Sequence, residues 1–546
     1  MSSGLDSLIV TAKTSLSEIL NRFEETTSDL ILLDERTRIS EPHLELLTDY
    51  PRSTTAALVA IQKNGNTLVR QNRVASASSA SHKVTIGNRD FVGAVRLSQK
   101  QRDAISTSIR GAIAAGAKGN ALDLLLVALV RATIKVDAVD VLGAPWTRSD
   151  DLSERARVES QIAALNIARL RLRMANRSND GFFSVFFLRK FSKLLTWLAV
   201  KVHATPNQVT LLSFAIGLYS AYLFSRGTFV TILSGAILLQ LSIIVDCVDG
   251  ELARYTRKFS KLGAWLDAVT DRVKEYMVFL GLAYGASLDG KALWIPAMAM
   301  MAIQTFRHLS DYNFAQSVMI RAEEKFITPV EFMAEFDGIV PTEREPKGRL
   351  RYWLGKIIQF PIGERWLVIS ASAVIGGAQF TFIVMPILAA ISALVVYRGR
   401  IIKTREMEKS VLKSELITNQ SDLLGVKRTF MSRASWIEPS ILRGIELIVL
   451  IAAFEYQGAL GVASFMILFA IVFNHYDNLY RALQGEKKPS WLSALGFFVG
   501  GRVLLIGVAL ILGWNLSIFA WYFSVLFLGI SSIQWVLEHR ANRING

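Results

Sequence analysis

Residues 246–271 read DCVDGELARYTRKFSKLGAWLDAVTD and carry four aspartates between apolar segments. Asp246 and Asp249 are three positions apart, and Asp267 and Asp271 are four apart, so each pair shares one face of a helix. Carboxylates beside membrane-length apolar runs are costly unless a cation or a polar cavity compensates them. Carboxylate oxygens are hard ligands that favour Mg²⁺ or Mn²⁺ over zinc. The stretch therefore predicts a divalent-metal centre between two helices.

Small residues accompany these aspartates and help to weigh the alternative. Ion pairs within the stretch would make the carboxylates purely structural, with Arg254, Arg257 or Lys258 as partners. Such pairing does not explain why residues with little or no side chain recur beside the acids. Small residues let two helix backbones approach, so that carboxylates from both converge on one site. The residues concerned are Gly250, Ala253, Gly263 and Ala264.

The composition indicates a membrane protein with a polar N-terminal part. The chain has 546 residues, of which 51% are hydrophobic, and the mean hydropathy is +0.34. The first 180 or so residues are nevertheless polar and mixed. The net charge of +15 comes from short basic groups beside apolar segments, which is typical of cytoplasmic membrane flanks. We expect no nucleic-acid partner, because the polar part lacks a basic stripe with interleaved aromatics.

The polar N-terminal part alternates strand-like and helix-like segments, which predicts an α/β layer domain. Its start lacks the pattern of a signal peptide, so we expect this part to stay in the cytoplasm. The single cysteine, Cys247, excludes an intramolecular disulfide. The predicted strands are 29–34, 56–61 and 91–97, and the predicted helices are 15–25 and 101–114.

Ten segments downstream are apolar enough to be predicted as membrane spans. The loops between them alternate between rich and poor in Lys and Arg, which places both termini in the cytoplasm of a multi-pass cell-membrane protein. Before the first span, residues 153–177 form a basic helical linker. Residues 182–202 form an amphipathic helix that should lie in the membrane interface. The spans are near 208–225, 228–247, 264–287, 291–310, 366–380, 381–397, 439–456, 460–479, 492–513 and 515–536.

The spacing of the aspartate stretch resembles the signature of the CDP-alcohol phosphotransferase (CDP-alcohol phosphatidyltransferase) family, D-x2-D-G-x2-A-R-x8-G-x3-D-x3-D. The resemblance covers about 180–397, the six-helix core typical of that family. The segment 205–210, TPNQVT, is similar to the TPN-x-x-T entry of its first helix and contains Asn207. The signature is filled at every position by Asp246, Asp249, Gly250, Ala253, Arg254, Gly263, Asp267 and Asp271.

The resemblance implies two Mg²⁺ or Mn²⁺ ions that bridge the diphosphate of a CDP-alcohol. Asp246, Asp249 and Asp267 would be metal ligands, and Asp271 a shared ligand or the base that deprotonates the acceptor hydroxyl. CMP would leave as the hydroxyl attacks the β-phosphorus, as in phospholipid or inositol-phosphate synthesis. A non-catalytic membrane scaffold or regulator that retains the fold is the alternative function.

Further residues are assigned to substrate binding by the same resemblance. Gly250 and Ala253 would leave room for the nucleotide, and Arg254 would pair with a carboxylate or a phosphate. Gly263 and Asn207 complete the family pattern around the site. Arg307 and His308 close the fourth span at its cytoplasmic end, where they would contact an acceptor phosphate or anchor the helix in the interface.

The N-terminal domain resembles a nucleotidyltransferase, as in bifunctional inositol-phosphate cytidylyltransferase–di-inositol-phosphate-phosphate synthases. That similarity rests on 180–184 (DGFFS), Arg189 and Ser192 and on the order of the N-terminal segments. The opening residues 4–13, GLDSLIVTAK, lack the glycine cluster that cradles a nucleotide triphosphate. We expect a degenerate domain, so that both CDP-diacylglycerol and soluble CDP-inositol remain open as donors.

Five regions follow from these patterns: 1–155, nucleotidyltransferase-like; 156–203, linker and interfacial helix; 204–397, membrane core; 398–436, basic linker; and 437–546, a four-helix membrane module. The last module resembles membrane extensions of unknown role. Its role could be that of a scaffold, a homodimer contact or a lipid gate. Mutual ion pairing is the alternative explanation of its ionisable residues. Its ionisable residues within or beside spans are Arg443, Glu446, His475, Asp477 and Arg502.

Overall fold

The computed structural model describes residues 6–48, 55–70, 73–80, 82–141, 143–175, 181–324, 349–406, 411–412, 430–431, 436–484 and 486–544. The chain divides into two compact units, the first ending at Met174 and the second beginning at Ala175 within the described part. Most of the predicted linker 398–436 lies outside the described residues.

The first unit is an α/β domain, as the alternating pattern predicts. Its helices are α1 (Leu16–Glu25), α2 (Glu41–Glu45), α3 (Arg102–Ala114), α4 (Ala121–Arg131), α5 (Leu152–Ala163) and α6 (Ile167–Met174), with 3₁₀ turns at Leu46–Thr48 and Gln99–Gln101. Its strands are β1 (Asp6–Val10), β2 (Leu30–Asp34), β3 (Thr37–Arg38), β4 (Thr55–Ile61), β5 (Thr67–Arg70), β6 (Arg73–Ala77), β7 (Arg89–Leu97), β8 (Val136–Asp140) and β9 (Thr147–Arg148).

Seven of these strands form one mixed sheet in the order β1-β2-β7-β4-β8-β6-β5. The pairs β1–β2 and β4–β8 are parallel, whereas β7 runs antiparallel to both β2 and β4. An additional pairing of β5 with β7 curls the sheet in the manner of a barrel. Helices α1, α3 and α4 supply apolar side chains to one face, whose core includes Phe23, Ile109 and Leu125.

The three strands and two helices predicted for this unit are confirmed to within two residues at their ends. Strands β1, β5, β6 and β8 and helix α4 were not predicted. Strand β8 reads VDAVD, so its acidic residues conceal the apolar alternation. Strands β5 and β6 are short and polar and are ordered by pairing with each other and with the rest of the sheet, which is a tertiary effect.

The second unit is almost entirely helical within the described residues. A π-helical turn, Ser184–Leu188, leads into α7 (Arg189–Lys201). The following helices are α8 (Pro206–Phe224), α9 (Phe229–Thr256), α10 (Lys261–Leu288), α11 (Trp294–Glu324), α12 (Arg349–Ile358) and α13 (Ile362–Glu406). A short strand pair, β10 (Val411–Leu412) and β11 (Phe430–Met431), precedes α14 (Glu438–Tyr456), α15 (Val462–Leu483), α16 (Ser490–Leu495), α17 (Phe498–Ile511), α18 (Ile518–Phe523) and α19 (Ser531–Ile544), with π-helical Ser524–Ile530 before α19.

Within the part of the chain that the structure describes, five helical segments are long and apolar enough to cross a membrane, which supports a multi-pass membrane protein. They are Phe229–Thr256, Ile362–Ile402, Val462–Leu483, Ser490–Ile511 and Ile518–His539. The other predicted spans also lie on helices, while the count of ten and the orientation of the termini stay predictions. Non-helical backbone at Gly376 (φ −142°) and Gly377 (φ 66°) breaks α13 where the boundary between two spans was predicted.

Local sequence signals set the helix ends around the aspartate stretch. Thr205 and Gln208 form a reciprocal capping box at the start of α8, with Pro206 in the first turn. Helix α9 ends at Thr256, and the next residue, Arg257, has a left-handed φ of 58°. Helix α10 begins at Lys261, where the preceding Ser260 hydroxyl accepts a hydrogen bond from the Gly263 amide at 2.9 Å. The short connection makes α9 and α10 neighbours.

Candidate metal centre

Helices α9 and α10 bring three of the four predicted ligands together. Carboxylate oxygens of Asp246, Asp267 and Asp271 all lie within 4.8 Å of one another. Asp249, one turn further along α9, is buried and accepts a hydrogen bond from the Thr210 hydroxyl at 2.5 Å. Clustered carboxylate oxygens of this kind suit Mg²⁺ or Mn²⁺. The donor set therefore fits the metal that the motif implies.

Glycine in the motif permits close approach between helices. A Cβ at Gly263 would come within 2.9 Å of both Asn207 Oδ1 and Ser260 Oγ. Gly263 thus lets the start of α10 pack against the start of α8, where Asn207 lies. The approach of α9 to α10 through small residues stays a prediction.

A cavity of about 390 Å³ opens beside the carboxylates. It has room for a polar headgroup and has both acidic and basic walls. Of the residues assigned to substrate binding, Gly250 and Arg254 line it, whereas Ala253, Gly263, Asn207, Arg307 and His308 are not among its described lining residues. The polar and charged side chains of its wall are Ser184, Arg189, Asp246, Asp249, Arg254, Asp267, Asp271, Lys356 and Gln359.

Lys274 is a member of the centre that the motif did not reveal. Its side chain is fully buried, and its ammonium donates to Asp246 Oδ1 at 2.6 Å. The same nitrogen lies 3.0 Å from Asp271 Oδ1, as an ion pair without hydrogen-bond geometry. The signal was present in the sequence, since a lysine within an apolar helix is expensive and implies a partner.

Glu251 is a second residue that the motif analysis missed. It is 1% exposed, and its carboxylate accepts hydrogen bonds from Arg189 (2.7 Å), Ser192 (2.8 Å) and Thr196 (2.6 Å). These three residues all lie on α7, part of the segment predicted to be interfacial. Arg189, one of the residues on which the resemblance to the bifunctional synthases rests, contacts Glu251 and lines the cavity.

Arg307 and His308 have protein partners elsewhere in the second unit. The Arg307 guanidinium donates to the carbonyl oxygen of Gln359, a residue of the cavity wall. His308 Nδ1 lies 2.8 Å from the Tyr476 hydroxyl. The Arg307 side chain is buried, so it is not an exposed anchor at the membrane surface. Arg307 thus supports the wall of the cavity from behind.

The C-terminal helices contact the helix that carries Asp267 and Asp271. Trp265 Nε1 donates to Asp477 Oδ1 at 2.9 Å, and both side chains are buried. One turn beyond the aspartates, the hydroxyls of Tyr276 and Tyr476 lie 3.0 Å apart. The four-helix module is therefore packed on α10 rather than separated from the centre.

The ion pairing predicted among the ionisable residues of that module is confirmed for Glu446 and Arg502. Arg502 Nε donates to Glu446 Oε1 at 2.5 Å, and His475 Nε2 lies 2.8 Å from Glu446 Oε2. Arg443 of the same module donates to the carbonyl oxygen of Pro439 at 2.7 Å.

Comparison with known families agrees with the motif. Residues 203–340 match the model of the CDP-alcohol phosphatidyltransferase family, and residues 367–545 match a family of unknown function (DUF5941). The first match falls within the 180–397 core expected from the residues. The second match joins the predicted last two core spans to the C-terminal helices.

Characterised proteins resemble parts of the chain. The "bifunctional IPC transferase and DIPP synthase" of Thermococcus kodakarensis is 37% identical over 171 residues, which are 31% of this chain and 36% of that protein. The archaetidylinositol phosphate synthase of Pyrococcus horikoshii is 38% identical over 18% of this chain and 48% of its own length. The phosphatidylinositol phosphate synthase of Streptomyces avermitilis is 35% identical over 20% of this chain and 44% of its own length.

The matches thus span about a third to a half of these relatives. The region that carries the aspartate motif is nevertheless covered by the family model from end to end. Residues 203–340 of this chain are a CDP-alcohol phosphatidyltransferase domain.

Proposed function

We propose that the chain is a metal-dependent membrane transferase that moves a phosphoryl-alcohol group from a CDP-alcohol to an acceptor hydroxyl and releases CMP. The observation that carries this proposal is the cluster of Asp246, Asp267 and Asp271, whose oxygens lie within 4.8 Å of one another beside a cavity. The family of residues 203–340 supports the same reaction class. Both termini are proposed to face the cytoplasm.

The four aspartates are proposed to have different roles in this reaction. Asp246, Asp249 and Asp267 would hold two Mg²⁺ or Mn²⁺ ions, which supply charge stabilisation at the phosphoryl oxygens. Asp271 accepts the proton of the acceptor hydroxyl as its oxygen forms a bond to the β-phosphorus. The bond from that phosphorus to the CMP oxygen breaks, and CMP leaves with the electron pair. Thr210 keeps Asp249 oriented through its 2.5 Å hydrogen bond.

An inositol phosphate is the acceptor type best supported. Arg189, Arg254 and Lys356 line the cavity together with the carboxylates, which suits a ligand with both a phosphate and free hydroxyls. Two of the relatives are named as synthases of archaetidylinositol phosphate and of phosphatidylinositol phosphate. CDP-diacylglycerol and CDP-inositol types remain the two candidate donors.

The N-terminal unit is proposed to be nucleotidyltransferase-like but unable to make the donor. A triphosphate loop needs free backbone amides after the first strand. Here the amide of Thr11 donates to Thr14 Oγ1 (3.0 Å), that of Ala12 to Glu35 Oε1 (2.9 Å) and that of Lys13 to Thr11 Oγ1 (3.2 Å). The loop is closed by its own side chains and by an acid where a phosphate would need donors.

A reconstitution assay tests the transferase proposal. Purified protein in liposomes with Mg²⁺ is given labelled CDP-diacylglycerol or CDP-inositol together with inositol phosphate or other acceptors, and CMP release is measured. We expect release with one donor and an inositol-phosphate acceptor, and none from Asp271→Asn. Equal CMP release by wild type and Asp271→Asn would refute the mechanism.

Cys247 provides a binding assay that is independent of turnover. It is the single cysteine of the chain and lines the cavity beside Asp246. We expect Mg²⁺ plus CDP-alcohol to slow its alkylation by a maleimide. A scaffold that binds no donor would show the same alkylation rate with and without substrate.

Absence of pyrophosphate release from CTP would support the degenerate N-terminal unit.

A further inference from the structure

Lys274 places an ammonium group inside the carboxylate cluster. Its nitrogen donates to Asp246 Oδ1 at 2.6 Å and to the Ser213 hydroxyl at 2.9 Å, and it lies 3.0 Å from Asp271 Oδ1. The cation also lies 5.3 Å from the centre of the Trp366 ring. Two of the oxygens that it contacts belong to residues proposed to hold metal or take a proton.

The fold makes room for this lysine. A Cβ at Gly217 would come 2.7 Å from both Cγ and Cδ of Lys274. Helix α8 therefore needs a residue without a side chain at this point for the lysine stem to pass. The side chain is 0% exposed, so its ammonium depends on these partners in place of water.

The charge of Lys274 acts on both states of the centre. Without metal, it offsets the repulsion between carboxylates that lie a few ångströms apart, so it stabilises the metal-free protein. With metal, the same charge repels a divalent cation bound to Asp246 in the same cluster. Both effects lower the affinity of the centre for metal.

We propose that Lys274 is a resident cation of the centre: it holds Asp246 and Asp271 in place before metal binds, and it sets the divalent-cation affinity below that of the four carboxylates alone. Lys274 is a positioning residue for the reaction. The inference rests on the proposed function only in requiring that the centre binds divalent metal. It also predicts that an anionic diphosphate raises metal affinity, because that ligand offsets the lysine charge.

Metal binding by Lys274→Met tests this directly, because methionine keeps most of the length and removes the charge. Free Mn²⁺ is followed by electron paramagnetic resonance, with and without CDP, and melting temperature is measured in parallel. We expect Mn²⁺ to bind at least about tenfold more tightly than to wild type. We also expect a lower melting temperature without metal and a smaller gain in Mn²⁺ affinity from CDP.

Lys488→Met is the matched control. Its side chain is 4% exposed and its ammonium lies 2.8 Å from Asp477 Oδ2 in the C-terminal module, so it removes an equally buried ion pair outside the centre. We expect a lower melting temperature and unchanged Mn²⁺ affinity. An equal gain in Mn²⁺ affinity in this variant would show a non-specific effect and overturn the proposal.

Gly217→Ala is a second variant that keeps the charge and displaces the lysine stem. We expect Gly217→Ala to bind Mn²⁺ more tightly than wild type, by a smaller factor than Lys274→Met. The proposal can therefore still be tested if Lys274→Met does not fold. If wild type binds Mn²⁺ clearly and both variants show unchanged or weaker affinity, the proposed role of Lys274 is refuted while the metal centre itself is not. Failure of wild type and both variants to bind Mn²⁺ would refute the metal centre as well.

Discussion

Two groups of buried charges in the membrane unit differ in their balance. At the metal centre, the ammonium of Lys274 pairs with two of the four aspartates, Asp246 and Asp271. In the C-terminal module, charges are matched. Glu446 is bound by Arg502 and His475, and Asp477 by Arg481 and Lys488, each at 2.5–2.8 Å.

The difference separates a binding site from a structural network. Buried carboxylates with several hydrogen-bonded cations are compensated by the protein itself and stabilise its packing once formed. Carboxylates in excess of their cations are compensated only when a further cation binds. We therefore propose that the metal centre binds a cation, whereas the C-terminal network holds helices together.

Asp267→Asn at the centre should have the largest effect on function. Loss of one carboxylate ligand is expected to lower CMP release at least about 100-fold, since even partners behind the ligands contribute that much. The fold should persist, because one repelling charge is removed. CMP release and melting temperature are measured together. Normal CMP release by this variant would place Asp267 outside the metal site and contradict the difference drawn between the metal centre and the C-terminal network.

Arg502→Met should have the largest effect on stability. It leaves Glu446 buried without its guanidinium partner, which costs about 3–5 kcal/mol. Mn²⁺ affinity should not change, because the pair belongs to the structural network. The double variant Glu446→Gln/Arg502→Met is the control, and it should recover part of the lost melting temperature. A weakened Mn²⁺ affinity at equal stability would contradict the separation.

In the N-terminal unit, the carboxylate of Asp34 is paired with arginines, and this pairing makes the stability of the unit depend on pH. Burial raises the pKa of the Asp34 carboxyl. Hydrogen bonds from Arg36 and the charge of Arg148 outweigh this effect, so the net result is a pKa lowered to about 2. Because the folded-state pKa lies below the ordinary value of 3.8, this stabilisation is full above pH 4 and is lost as pH falls toward 2.

Asp34→Asn should therefore destabilise the N-terminal unit at neutral pH. The cost is about 2 kcal/mol at most, because Arg36 is 25% exposed and water screens part of the interaction. Hydrogen exchange of the β2 peptide reports the local stability. The difference between variant and wild type should shrink as pH falls from about 4 to about 2. A constant difference across that range would show that the charge of Asp34 is not its cause.

Trp265→Phe should have the smallest effect and tests the link between the two charge groups. It removes the indole donor to Asp477, which keeps its other partners, so the cost is about 1 kcal/mol. If the C-terminal module positions α10, CMP release should also fall a few-fold, by roughly the same free energy. Trp535→Phe, a neighbouring buried indole 6.1 Å away between ring centres, is the control. A loss of activity in both would assign the effect to packing.

Much of the fold could be predicted because its signals are local. Thr205 and Gln208 cap α8, Gly376 and Gly377 break α13, and apolar runs mark β2, β4 and β7. Strands β5 and β6 could not be predicted, since their stability comes from pairing across the sheet. The homodimer and the absence of nucleic acid stay predictions.

The spacing of the aspartates by itself predicted the chemistry that we propose for the centre. Residues three and four apart share a helix face, so Asp246 was predicted to share a face with Asp249, and Asp267 with Asp271. Only the tertiary structure decided that Lys274 enters the cluster through the space at Gly217, and that Glu251 faces α7. Those contacts depend on which helices pack together, and pairwise proximity across helices leaves no trace in the spacing along one chain.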